Sequence, residues 1–135
     1  MSVAHAEPLI ATRPACADDL PFVLETAAKL RWPHGVQFRD WRPAHDARVL
    51  GIVERGGGIH VAEARGVLLG YAITDAAGAL VSIYVKRDFR GAGIGIELLR
   101  AAGVDAGKPI SCERPTPSLR IWARVRGLTL AVAGC

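Results

Sequence analysis

Apolar residues along the chain switch between two spacings, and each switch predicts a change of element. "LIATR" (9 to 13) is a short first strand. Leu20, Val23, Leu24, Ala27 and Leu30 then stand three and four apart, the signature of one helix face. Asp18 and Asp19 precede that face as caps, and Pro21 falls in the first turn, where its absent N–H costs nothing. "WPHG" (32 to 35) breaks the helix, and "RWPHGVQFRDWRP" reads as a loop carrying two tryptophans and a histidine. A second helix opens near Pro43 and runs through "AHDARVLGIVER" with Val49, Leu50 and Val53 inward, until Gly56, Gly57 and Gly58 end it.

The period then changes. "IHVAEA" (59 to 64), "VLLGYAIT" (67 to 74) and "ALVSIYVK" (79 to 86) are strand-like runs separated by Arg65-Gly66 and by Asp75-Ala76-Ala77-Gly78. Short turns between three strands predict an antiparallel meander. A glycine stretch follows, then "IGIELLRAAG", a helix with Ile94, Leu98 and Ala101 or Ala102 on one side and Gly103 past its end. "KPISCER" (108 to 114) predicts a strand, "TPSLRIWARVRG" a helix closed by Gly127, and "LTLAVA" a last strand. The order is strand, two helices, three strands, helix, strand, helix, strand. It predicts an α+β fold with a mixed, mostly antiparallel sheet in one domain over residues 1–135, without repeats or a dividing linker.

Composition narrows the partners. Half of the 135 residues are hydrophobic and 22% are charged, which excludes a disordered chain. No apolar run approaches the roughly 18 residues that span a bilayer. The N-terminus lacks the charged and apolar segments of a secretory signal, so a cytoplasmic protein without membrane contact is expected. The net charge of +4 suits an anionic small ligand or an acidic partner, but the bases are not clustered for nucleic acid. Cys16, Cys112 and Cys135 stand far apart, which argues against a CxxC metal or redox site. No metal is expected, and each cysteine reads as a small buried or terminal residue.

The chemistry concentrates in "YVKRDFRGAGIG" (84 to 95), where a strand feeds a helix through Arg90-Gly91-Ala92-Gly93-Ile94-Gly95. Such a turn leaves backbone N–H groups unpaired at the positive end of the helix dipole, a phosphate cradle. The glycines allow the sharp turn and the close approach of an anion, and Arg90 adds a charged donor. A Walker A loop needs Lys-Ser or Lys-Thr after its last glycine, but Ile96-Glu97 follows Gly95. A dinucleotide fingerprint needs a glycine where Ile96 stands. Both patterns fail on spacing.

"IYVKRDFRGAGIGIELL" resembles the acetyl-CoA-binding motif of the GNAT N-acetyltransferases: a hydrophobic strand end, a short linker, then Arg-x-x-Gly-x-Gly. The wording is also similar to that of small GNAT proteins carried by phages and prophages. The resemblance extends over most of the chain, because the deduced element order is that family's. It implies that the N–H groups of Gly91, Ala92, Gly93, Ile94 and Gly95, with Arg90, hold the CoA pyrophosphate. It implies too that Ile83 and Val85 pair their main chain with the pantetheine arm, where a β-bulge splays the fourth and fifth strands. Acetyl-CoA is then the co-substrate, and an acetyl group passes directly to a primary amine of a small molecule or a protein.

The second family motif departs from the pattern. With Gly127-Leu128 at its Gly-Phe, Thr116 stands at the Asn, Leu119 at the Ala, and Ala123 at the Tyr that usually returns a proton to the CoA thiolate. Neither Ala123 nor the adjacent Trp122 supplies an acid. Tyr84 is the substitute, beside a structural reading of the same ring. For the base that receives the amine proton the candidates are Glu113, Glu63 and His60, with Glu113 favoured by its place after the fifth strand. Trp32 and His34 are candidates for the acceptor pocket, against readings as a core and a surface residue. Cys112 as an acetyl-accepting nucleophile is the remote option. The C-terminus falls about where a seventh strand would begin, so an acceptor wall supplied by a partner, and hence a homodimer, is expected. The competing reading, from Ala123 and that terminus, is a non-catalytic CoA-binding or assembly protein of the same fold. A third, modification of nucleobase amines, rests only on the mild basic charge and the phage-like wording.

Overall fold

The computed structural model describes residues 10–112 and 114–132. Its strands are β1 (Ala11–Pro14), β2 (Gly58–Ala64), β3 (Val67–Thr74), β4 (Leu80–Val85), β5 (Ile110–Cys112) and β6 (Leu130–Val132). Its helices are α1 (Leu20–Leu30), α2 (Phe38–Glu54), α3 (Ile94–Ala101) and α4 (Pro117–Val125). The strands form one sheet in sequence order, antiparallel from β1 through β4 and parallel from β4 through β6. The α+β mixed sheet is the expected one, and its element order is as read.

Helices cover both faces. Val23 and Ala27 of α1, with Val49 and Ile52 of α2, pack on Ile59, Val61, Tyr71, Ile73 and Val81. On the other face Ile94, Leu98 and Leu99 of α3 and Leu119 of α4 pack on Ala62, Ala64, Leu69, Ala72, Leu80, Ile110 and Cys112. β3 is buried on both faces through most of its length, so its apolar run shows little alternation. The β2–β3 turn works because Arg65 and Gly66 both take positive φ, 53° and 77°, the hand that two-residue hairpins need. In the β3–β4 turn the Asp75 carboxylate accepts from the N–H groups of Ala77 and Ala79, both at 2.9 Å.

Three expectations are corrected. α2 opens at Phe38, ahead of Pro43, which lies inside it, and Trp41 is a helix residue whose indole N–H donates to the Ala28 carbonyl at 2.9 Å. That bond fixes α2 against α1, and tertiary packing outweighs the breaker signal of the proline. The inward face of α2 is His45, Val49 and Ile52, while Leu50 and Val53 remain exposed. Its apolar residues fit two helical faces, and docking on the sheet selects between them. Asp19 does not cap α1 by a side-chain bond. Its carboxylate accepts from the Cys16 N–H at 2.8 Å and from the Arg13 guanidinium at 2.6 and 3.1 Å. The Arg13 bond holds that carboxyl well below the usual range despite its burial.

Candidate active site

The site is a split between two strands. β4 and β5 pair at a single position, Leu80 with Cys112, and diverge beyond it. A β-bulge starts the divergence: Thr74 pairs with Leu80 and Ile73 with Ser82, which leaves Val81 as the extra residue. Past the bulge the main-chain groups sort by side. Lys86 N–H donates to the Leu69 carbonyl across β3 at 2.7 Å, and antiparallel bonding alternates, so Tyr84 and Lys86 face β3. Ile83 and Val85 turn their N–H and C=O groups into the split. The Val85 carbonyl accepts from Arg90 Nε at 2.9 Å, and the Val81 carbonyl accepts from Arg31 Nη2 at 3.2 Å.

The glycine loop closes one end of this split. Gly91 and Gly93 have φ of 89° and 80°, the left-handed region that penalises other residues. Among the described residues, no acceptor takes the N–H of any residue from Gly91 to Ile96. These donors stand at the start of α3, where the helix dipole is positive. Gly95 serves packing: an added Cβ would lie 2.6 Å from Cζ2 of Trp122. Arg90 folds back over β4, its guanidinium carbon 5.8 Å from the centre of the Tyr84 ring.

Together these elements enclose a groove of about 350 Å³. Ile83, Tyr84 and Val85 form one wall, the loop Arg90–Gly95 one end, and Thr116 to Leu119 with Trp122 and Arg126 the opposite wall, while Leu30 of α1 reaches the edge. α4 presents its own N-terminus there. Thr116 caps it by accepting the Leu119 N–H on its hydroxyl at 3.1 Å.

The candidates from sequence fall into three groups. The groove brings together Ile83, Tyr84, Val85, Arg90, Gly91, Gly93, Ile94 and Gly95, with Ala92 in the same loop. The Tyr84 ring lies beside Tyr71 at 6.0 Å between centroids and beside Phe22 at 6.5 Å, so it both packs and lines the groove. Elsewhere lie Trp32 and His34, exposed in the connection between α1 and α2 and not lining the groove. The Trp32 indole donates to the Val36 carbonyl at 2.6 Å and its ring lies 4.9 Å from that of Phe38. Glu113 lies outside the described residues. Glu63 is committed to Arg13 at 2.7 Å, on the β1–β2 edge away from the split. His60 is on β2 with its pKa lowered by burial, and Cys112 is fully enclosed in the core. Ala123 is buried as well, while Trp122 beside it meets the groove.

Several groups were not read as site residues from the sequence. Leu30 and Leu119, read only as a helix-face and a motif position, line the groove with Phe89, Pro117, Ser118 and Arg126 because tertiary docking puts them there. His45 of α2 is buried with no partner for Nδ1 among the described residues, its ring 5.2 Å from that of Trp41. Burial lowers its pKa most, and the charges of Arg48 and Arg31 push it the same way against the opposing charge of Asp46. Its helical spacing to Val49 and Ile52 was the available signal. No described helix is long and apolar enough to cross a membrane, and no described cluster of His, Cys, Asp or Glu is arranged to hold a metal.

A meander whose last strand splits from a parallel neighbour, with an amide-lined loop at the split, defines an acyl-CoA-transferase type of fold. The chain belongs to the GNAT acetyltransferase family: the model described as "Acetyltransferase (GNAT) family" matches residues 23–114. No curated protein matches its sequence. Among solved structures it is similar to a putative acetyl transferase from Pyrococcus furiosus, with TM-score 0.64 and 19% identity over 94% of this chain and 97% of that one. It is similar to the aminoglycoside N-acetyltransferase AAC(6')-Iy in complex with CoA, with TM-score 0.63 and 21% identity over 92% and 89% of the two chains. The PaiA N-acetyltransferase from Thermoplasma acidophilum, in complex with coenzyme A, aligns with TM-score 0.53 and 19% identity over 70% of each chain.

Proposed function

We propose that the groove binds acetyl-CoA and that the protein transfers its acetyl group to a primary amine. The observation that carries this reading is the row of unspent N–H groups from Gly91 to Ile96 at the positive end of α3. The main-chain groups that Ile83 and Val85 turn into the split, the Val85 carbonyl shared with Arg90, match an amide-bearing arm laid along β4, and the CoA held by two of the structural neighbours supports this reading. When bound, acetyl-CoA supplies an activated thioester. The amine nitrogen forms a bond to its carbonyl carbon and the C–S bond breaks. The proton leaving the amine goes to a base, for which Glu113 is our candidate. Tyr84, on the groove wall, is the candidate donor to the departing thiolate.

Replacing Gly93 with valine tests the reading. Space around its Cβ is open, so nothing clashes, but the left-handed backbone costs a β-branched residue about 1–2 kcal/mol and deforms the cradle. Calorimetric titration should show at least a tenfold loss of acetyl-CoA affinity in a folded variant. Unchanged affinity overturns the loop assignment. Thiol release is then followed with a panel of amines. The second reading, a CoA-binding protein without turnover, is favoured by the buried Ala123 where the resemblance places an acid. Binding without thiol release on any amine would establish it.

A further inference from the structure

Beside the groove, where β4 leaves β5, one side chain is unusually poorly paired among the described residues. Arg31 follows Leu30, which lines the groove, and its Nη2 donates to the carbonyl of the bulge residue Val81, at the point where β4 leaves β5. That 3.2 Å bond is the only one its guanidinium makes among the described residues, and none of its nitrogens is sealed from solvent without a partner. No described carboxylate bridges it. Two of the charges that act on it are cationic. Half-burial lowers its pKa most, and the charges of Arg114, just past β5, and Arg48 of α2 lower it further. His45, buried beside them, feels Arg48 and Arg31 in turn. The charges of Arg114 and Arg48 thus reach Arg31 at the point where β4 and β5 separate.

We infer that Arg31 receives an anionic group of the acceptor, so that this end of the split selects small amines that also carry a carboxylate. A guanidinium whose remaining N–H groups point to solvent in a half-dry site gains a charge-assisted, fork-shaped pair from a carboxylate. An amine without an anion brings a second positive charge into the same field. Such an acceptor is discriminated by attraction at one end and by repulsion of its decarboxylated counterpart. The inference rests on the transferase reading for its biological sense, but its test does not need turnover.

The protein loaded with CoA is titrated calorimetrically with amino acids and their decarboxylated partners: lysine against cadaverine, ornithine against putrescine, phenylalanine against phenethylamine. The carboxylated members should bind at least tenfold more tightly. Arg31→Gln should bring the ratio near one, and Arg31→Lys should restore part of it. Thermal stabilisation by acetyl-CoA, whose proposed cradle at Gly91 to Ile96 does not include Arg31, certifies that each variant is folded. If Arg31 only ties α1 to β4, its loss weakens both members of each pair alike and the ratio persists, which overturns the inference. Equal binding within pairs, or no binding at millimolar concentrations, overturns it as well. Absence of thiol release with retained carboxylate-dependent binding leaves the Arg31 assignment standing and removes the transferase reading.

Discussion

Gly95 and Trp122 make the groove's wall and the start of α3 mutually dependent, and the dependence has a measurable size. In Gly95→Ala the new Cβ would stand 2.6, 3.2 and 3.3 Å from Cζ2, Cε2 and Cη2 of the indole. Carbon atoms settle at about 3.5–4.0 Å, so the ring must retreat by about 1 Å. Overpacking of this kind costs about 1–3 kcal/mol, while alanine for glycine in a helix returns up to about 1 kcal/mol. The single variant should therefore lose about 0–2 kcal/mol. In a Trp122→Leu background the clash is gone and only the helix gain remains, so the same substitution becomes neutral or stabilising. Urea unfolding of the four proteins gives the cycle, and the coupling should be about 1–3 kcal/mol. A coupling below about 0.5 kcal/mol, the ordinary scatter of independent sites, would refute the packing argument.

Four further outcomes follow from other parts of the structure. His45 and His60 have folded-state pKa values below the usual 6.5, so the unfolded chain binds more protons at mildly acid pH and stability falls as pH drops below 6.5. Replacing both with glutamine should flatten the urea midpoint in that window; an unchanged slope sinks the assignment. Asp19 is held far below its usual 3.8 by Arg13, so its stabilisation is complete above 3.8 and is lost at more acid pH, a second limb that Asp19→Asn should remove. Gly70→Ala drives a Cβ into the Tyr84 carbonyl and Val85 Cα on β4; we expect a loss of about 3 kcal/mol in urea unfolding, and a loss under 1 kcal/mol speaks against the close strand approach. Arg90→Ala should lower acetyl-CoA affinity about tenfold and flatten its salt dependence, and parallel salt slopes for the two proteins would remove Arg90 from the phosphate site.

The meander and the glycine loop were legible because their determinants are local. Two-residue and Asx-type turns announce themselves, and a strand feeding Gly-x-Gly-x-Gly leaves few alternatives. What was not legible depends on contacts distant in sequence. The start of α2 is fixed by Trp41 reaching Ala28, which no local rule reports, and Pro43 read alone points to a later start. The inward face of α2 passed over His45 because Leu50 and Val53 are more hydrophobic, yet the sheet buries His45 and leaves them out. The wall formed by Leu119, Trp122 and Arg126 exists only once β4 and β5 have separated. Its helix was read in the right place, but its face toward the groove was not.

The single extra residue at Val81 links the two halves of the site. By offsetting β4 from β3 and releasing it from β5, it turns the main chain of Ile83 and Val85 toward the groove and leaves its own carbonyl for Arg31. On the proposed cofactor side, recognition would then be written mostly in backbone groups. Side-chain identity matters there chiefly where φ is positive, at Gly91 and Gly93, or where Trp122 leaves no room, at Gly95. On the proposed acceptor side the reverse is expected, since Arg31 would act through its side chain. Substitutions at Arg31 should therefore change which amine is taken while sparing CoA affinity, and those at Gly93 should do the opposite. A variant at either position that moved both together would show that the bulge does not separate the two functions.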